Sequence, residues 1–245
     1  MSDLVFSTVL PCTMIALVSG LVHGYSGFGG ALLMIPLLSL FLAPLDAVAV
    51  TVFVALLGQI PVARQAFQFA SWGDCVPFLL GLMVAIPLGM WALVVSDVNL
   101  IRKIVGITTI AAASVLAIGW AYKGPHSFVI SGFFGSLCGL LNGLTGQGGP
   151  VAVTYFMSAP LETRQQRATI VVAITGMIAL TLVALIASGS ITNSVSILGL
   201  VLGPPYVVGV WSGSRLFEVL PKKNHRRVTL ALLFGAGIAA LANSS

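Results

Sequence analysis

The chain has 245 residues, of which 58% are hydrophobic and only 7% charged, with a mean hydropathy of +1.09. A soluble domain carries about a quarter charged residues, so the 11 basic and 6 acidic side chains here exclude a water-covered surface. The same composition excludes intrinsic disorder, which needs low hydrophobicity, and leaves an all-α polytopic membrane protein. At about 20 residues per crossing, eight helices take roughly two thirds of the chain, so the loops are short.

In chain order, apolar runs fall at about 4–23, 31–42, 47–63, 75–95, 104–122, 128–142, 150–157, 168–187, 195–214 and 228–243. Met1-Ser2-Asp3 lacks the basic start of a signal peptide, so the first run reads as a transmembrane helix. The runs 31–42 and 150–157 are too short to cross a hydrocarbon layer of about 30 Å. Cys12 and Cys138 lie within runs and Cys75 starts one, which suits packing and gives no disulfide or metal-ligand spacing. No cofactor is called for. The cluster Lys222, Lys223, His225, Arg226 and Arg227 reads as a cytoplasmic loop under the positive-inside rule, with the lipid bilayer and not nucleic acid as its neighbour.

An internal repeat accounts for the two short runs. Residues 20–30 read G-L-V-H-G-Y-S-G-F-G-G and residues 139–149 read G-L-L-N-G-L-T-G-Q-G-G, with six of eleven positions identical and five of those glycine. Ala43-Pro44-Leu45-Asp46 recurs as Ala159-Pro160-Leu161-Glu162, and Gly89-Met90-Trp91 as Gly209-Val210-Trp211. The chain therefore reads as two copies, 1–122 and 123–245, a plan typical of transporters. Arg102 and Lys103 in the segment 96–103 correspond to the basic cluster at 215–227, which places both inside. That favours two four-helix units in parallel, each with one helix broken at its glycine stretch. Arg64 and Lys123 would then lie outside, which pulls toward the alternative of five crossings per copy and an inverted repeat.

Gly20 and Gly24, and Gly135, Gly139 and Gly143, have the spacing that lets membrane helices approach closely. Gly27, Gly29 and Gly30, and Gly146, Gly148 and Gly149, are too dense for that, since each glycine costs a helix about 1 kcal/mol relative to alanine. The pattern predicts unwound backbone lining a cavity. A short helix follows each stretch, with Ala31 and Pro150 near its first turn, and its N-terminus suits an anion. Tyr25 and Ser26 in the first motif and Asn142, Thr145 and Gln147 in the second add neutral groups, and His23 adds a titratable donor or a packed neutral ring. Thr51, Gln59, Tyr155 and Thr175 lie in apolar runs, facing the cavity or bonding between helices. Arg64 ends a run, as a snorkelling residue or a substrate clamp. No acidic residue sits in the middle of a run, which argues against a carboxylate proton relay. After Gly27-Phe28-Gly29 a nucleotide fingerprint would need glycine where Leu32 stands.

Two resemblances follow. Gly24-Tyr25-Ser26-Gly27 resembles the nucleophile site of rhomboid intramembrane proteases, but His126 and His225 lie in loops and Asn142 takes the place of His23 in the second copy. The second resemblance covers the whole chain. G-F-G-G-A-L-L-M-I-P-L-L, A-P-L-D, Ala49-Val50-Thr51 and then G-L-T-G-Q-G-G-P with Tyr155 resemble the sulfite exporter TauE/SafE family, also called the toluenesulfonate uptake permease family. One departure is that the first motif has two consecutive glycines where the family has a run of three. The resemblance implies a multi-pass permease of the bacterial inner membrane for a small sulfur-containing anion such as sulfite, a sulfonate or sulfoacetate, and no enzyme. The expected mechanism is alternating access around an anion held between the motifs. Protons are the candidate coupling ion and a homo-oligomer the candidate assembly. A passive anion channel is the remaining alternative.

Overall fold

The structure, a computed structural model, describes residues 2–26, 29–219 and 233–242, with the side chains of 2–8, 26, 60–65 and 217–219 outside that description. The basic cluster at 222–227 also lies outside the described residues. Those described are helical: α1 (Ser2–Ser26), α2 (Gly30–Leu38), α3 (Pro44–Phe69), α4 (Trp72–Val95), α5 (Val98–Ile118), α6 (Phe128–Thr145), α7 (Gly149–Phe156), α8 (Thr163–Ala187), α9 (Asn193–Val219) and α10 (Leu233–Ala242). Where eight crossings are expected, α4, α5, α6, α8 and α9 are long and apolar enough to cross a membrane. Val9–Tyr25, Pro44–Gln59 and Leu233–Ala242 are shorter apolar stretches. The protein is a multi-pass membrane protein, and outward-facing side chains such as Val84 and Val129 meet lipid, where their exposure is no liability.

Glycine decides which helices touch. A Cβ on Gly20 would lie 3.0 Å from the Tyr206 carbonyl carbon, and one on Gly24 would lie 2.7 Å from that of Val210. From the other side, Gly209 and Gly213 press on the backbone of Leu21. The partners rise in number together, so α1 and α9 run parallel. Gly135, Gly139 and Gly143 meet Phe78, Leu82 and Ile86 in the same rising order, so α6 and α4 are also parallel. Phe53 against Gly199 and Leu57 against Gly203 align α3 with α9, while Cys75 against Thr169 and Leu79 against Gly176 align α4 with α8. Two sets of parallel helices result: α1, α3 and α9 in one, and α4, α6 and α8 in the other.

The sets are opposed. The Arg164 guanidinium at the start of α8 lies 3.7 Å above the Phe69 ring at the end of α3, and Thr51, early in α3, lines the same cavity as Ile178, late in α8. Helices α3 and α8 therefore run antiparallel, where the parallel arrangement expects them to agree. That expectation treated Arg102 and Lys103 as loop charges. Both residues lie in α5, and Arg102 Nε donates to the Ser39 carbonyl at 3.1 Å. A charge bonded within the bundle carries no vote on loop sidedness.

The junction of α3 and α4 is tied to α8 by the Ser71 N–H, which donates to Thr169 Oγ1 at 2.9 Å beside the cluster of Ala66, Ala70, Cys75, Ala168 and Val172. Thr169→Val preserves volume and leaves that N–H without a partner. We expect a loss of about 1–3 kcal/mol, read as a lower thermal midpoint in detergent.

Candidate functional site

The second glycine stretch breaks the chain between α6 and α7. Gly146 caps α6 at φ 71°, in the left-handed region that side chains avoid, and Pro150 stands in the first turn of α7, where its missing N–H leaves no bond unmade. Helix α7 then runs back along α6. The Gly148 N–H donates to Asn142 Oδ1 at 3.2 Å near the tip, and the Tyr155 and Ser131 hydroxyls lie 2.6 Å apart toward the other end. The first stretch repeats this outline: α1 ends at Ser26, Gly29 precedes α2 at φ 96°, and Gly30 packs on His23. Val22 of α1 shares a cluster with Leu32 and Leu33 of α2.

Each stretch is thus the tip of a helical hairpin, and α1 and α6 point in opposite senses. Their tips face each other across a cavity of about 50 Å³. His23, Gly29, Ala31 and Leu32 line it from the first hairpin, and Asn142, Gly146, Gln147, Gly149 and Pro150 from the second. Thr51 of α3, Met177 of α8 and Tyr206 of α9 complete much of the remaining wall.

Six of the residues expected from sequence therefore line this cavity: His23, Gly29, Asn142, Gly146, Gln147 and Gly149. Gly30, Thr145 and Gly148 belong to the tips behind its wall. Tyr25 and Gln59 do not line it, and Tyr155 is buried instead among Phe78, Tyr122, Phe134 and Phe156. Gly27 and the side chains of Ser26 and Arg64 lie outside the described residues.

The motif's polar side chains are largely engaged in holding its shape. Asn142 accepts from Gly148 and its Nδ2 donates to Thr181 Oγ1 at 2.7 Å, joining tip, α6 and α8. Gln147 Nε2 donates to Thr109 Oγ1 of α5 at 2.9 Å, and Thr108 Oγ1 lies 2.9 Å from Gln147 Oε1. Thr145 donates to its own helix at the Leu141 carbonyl. Two other hydroxyls on the cavity wall, Thr51 Oγ1 and Tyr206 Oη, are buried and have no hydrogen-bond partner among the described residues. In the sequence Thr51 is ambiguous between cavity and helix contact, and the one signal for Tyr206 is a hydroxyl in the middle of the apolar run 195–214.

Among the described residues, no three of His, Cys, Asp or Glu gather as a metal-ligand set. Oppositely directed glycine hairpins meeting at a small cavity inside an apolar bundle define a membrane protein that can hold a small solute away from lipid. Residues 12–240 match the family described as Sulfite exporter TauE/SafE, and the chain belongs to that family. It is a family of membrane transporters, not enzymes, and implies a small anionic substrate, which sets aside Ser26 as a protease nucleophile. No curated protein and no solved structure matches the chain.

Proposed function

We propose that this protein is a secondary permease of the bacterial inner membrane for small sulfur-containing anions such as sulfite or organosulfonates, working by alternating access. The observation that carries this reading is the meeting of two glycine tips at one cavity. Helix N-termini at α2 and α7 bring positive dipole ends to the tips. On this reading 1–122 and 123–245 are inverted copies. In support, α1 and α6, α3 and α8, and α4 and α9 correspond under the repeat and run in opposite senses. An inverted pair rocks about a fixed central site, opening it first to one side and then to the other.

The test is sulfite flux in proteoliposomes with Gly29→Ala and Gly148→Ala combined. Alanine at 29 must adopt φ 96°, and at 148 its Cβ meets the Cys138 carbonyl oxygen at 2.6 Å and Asn142 Cβ at 2.7 Å. With strain of order 1–3 kcal/mol at each tip, flux should fall at least about tenfold in protein that still elutes as a folded species. Undiminished flux would remove the tips from the transport path. Runs with and without a pH gradient decide whether protons are coupled, and flux that never saturates with sulfite indicates a channel.

A further inference from the structure

We infer that the anion is held by the hydroxyls of Thr51 and Tyr206 together with the first-turn N–H groups of α2, and that the site takes a tail-less oxyanion the size of sulfite. This rests on the permease reading above and specifies its binding site.

Two buried hydroxyls without partners on one cavity wall are unusual, because a buried donor left unpaired costs free energy. Thr51 is 2% exposed and Tyr206 1%. A helical threonine ordinarily returns its proton to the carbonyl four residues earlier. Thr109, Thr145, Thr154 and Thr181 all do so here. Thr51 does not, although it sits well inside α3. Tyr206 Oη lies where it would meet a Cβ on Gly30 at 2.7 Å, so it stands directly over the first turn of α2. The N–H groups of Gly30, Ala31 and Leu32 precede the first intrahelical bond, which runs from Leu33 to Gly29. Gly29 has no side chain to cap them, and Ala31 and Leu32 line the cavity beside Thr51 and Tyr206. Donors from α2, α3 and α9 thus converge on one space, those of Thr51 and Tyr206 without a partner among the described residues.

The donors are neutral, and such a set holds an anion without a permanent ion pair, which would slow its release. Size narrows the ligand further. With about 10–15 Å³ needed per water, the roughly 50 Å³ of the cavity open to water-sized molecules has room for the few atoms of an inorganic oxyanion. An aryl sulfonate has more than twice as many non-hydrogen atoms as sulfite. The adjoining wall of Val52, Ala55, Ile174 and Ile178 offers nothing polar to a functionalised tail.

The experiment is calorimetric titration of sodium sulfite, methanesulfonate and toluenesulfonate into the purified wild-type chain and into Tyr206→Phe and Thr51→Val, beside sulfite flux and thermal unfolding without anion. Each variant should weaken sulfite binding roughly ten- to a hundredfold. Each should also leave the anion-free thermal midpoint unchanged or raise it, because it removes an unpaired buried hydroxyl. Wild-type affinity should fall from sulfite to toluenesulfonate. Variants that bind sulfite like wild type overturn the site, as does a lowered anion-free midpoint, which would show that the hydroxyl has a structural partner. Toluenesulfonate binding as tightly as sulfite overturns the size limit. If wild type neither binds nor carries any of the three, the permease reading itself fails. If it carries sulfite and both variants do so equally well, only this inference fails.

Discussion

Gly135→Val should leave little folded protein. A Cβ at 135 would lie 2.8 Å from the Phe78 carbonyl carbon and 2.9 Å from Phe78 Cα. Both atoms are backbone and part of α4, so relief requires the two helices to move apart. Their contact continues through Gly139 and Gly143 and through Gly81 and Gly89 of α4, and it would open along its length. Between apolar helices in lipid there is little hydrophobic drive to compensate, so lost packing is lost stability. A cost of about 3–5 kcal/mol is comparable to what holds many domains folded. The measurement is the monodisperse fraction on size exclusion together with the thermal midpoint. Gly132→Ala, one turn away, is the control: its Cβ meets the Pro77 carbonyl oxygen at 3.6 Å, an ordinary contact, and should change neither.

The second large effect is expected at Asn142, which is 2% exposed. Alanine there removes both the acceptor of the Gly148 N–H and the donor to Thr181, and frees the tip that faces the cavity. With a buried backbone N–H unpaired and a side-chain bond lost, the local cost is about 2–4 kcal/mol, set against a tip of few residues. We expect sulfite flux to fall by more than about tenfold while the protein still inserts and purifies. Thr181→Val removes only one of these bonds and should give an intermediate loss of flux. Equal flux in Asn142→Ala and wild type would mean that the tip holds its shape by other means.

The breaks at Gly29 and Gly146 were legible in the sequence because glycine density and Pro150 act locally, through backbone freedom and a missing N–H. The close approach at Gly20, Gly24, Gly135, Gly139 and Gly143 was legible from spacing, although spacing does not name the partner helix. Relative helix direction is not legible in the sequence, because Arg102 is a helix residue bonded to Ser39 and sequence alone cannot separate such a charge from a loop charge. The division of labour among donors was hidden for a similar reason. Asn142 and Gln147 lie in the motif but find partners on α8 and α5, contacts that depend on tertiary packing, while Thr145 bonds back within α6. Thr51 and Tyr206 lie outside the motif in sequence and reach the cavity only because α9 packs beside α1 and α3 packs against α2 and α9.

The pairing of α1 with α9 also constrains how the protein is made. Leu17, Gly20, Leu21 and Gly24 meet the backbone of α9 around Tyr206, Gly209 and Gly213, almost the whole chain later. During synthesis α1 enters the bilayer with that small-residue stripe against lipid and keeps it there until the last third of the chain has been inserted. The α4 and α6 pair closes much earlier. The half containing the second tip can therefore assemble first, and the first tip is completed only as α9 and α10 arrive. A ribosome-stalled or truncated chain ending before α9 carries an exposed glycine face, the kind of surface that quality-control proteases and misassembly act on.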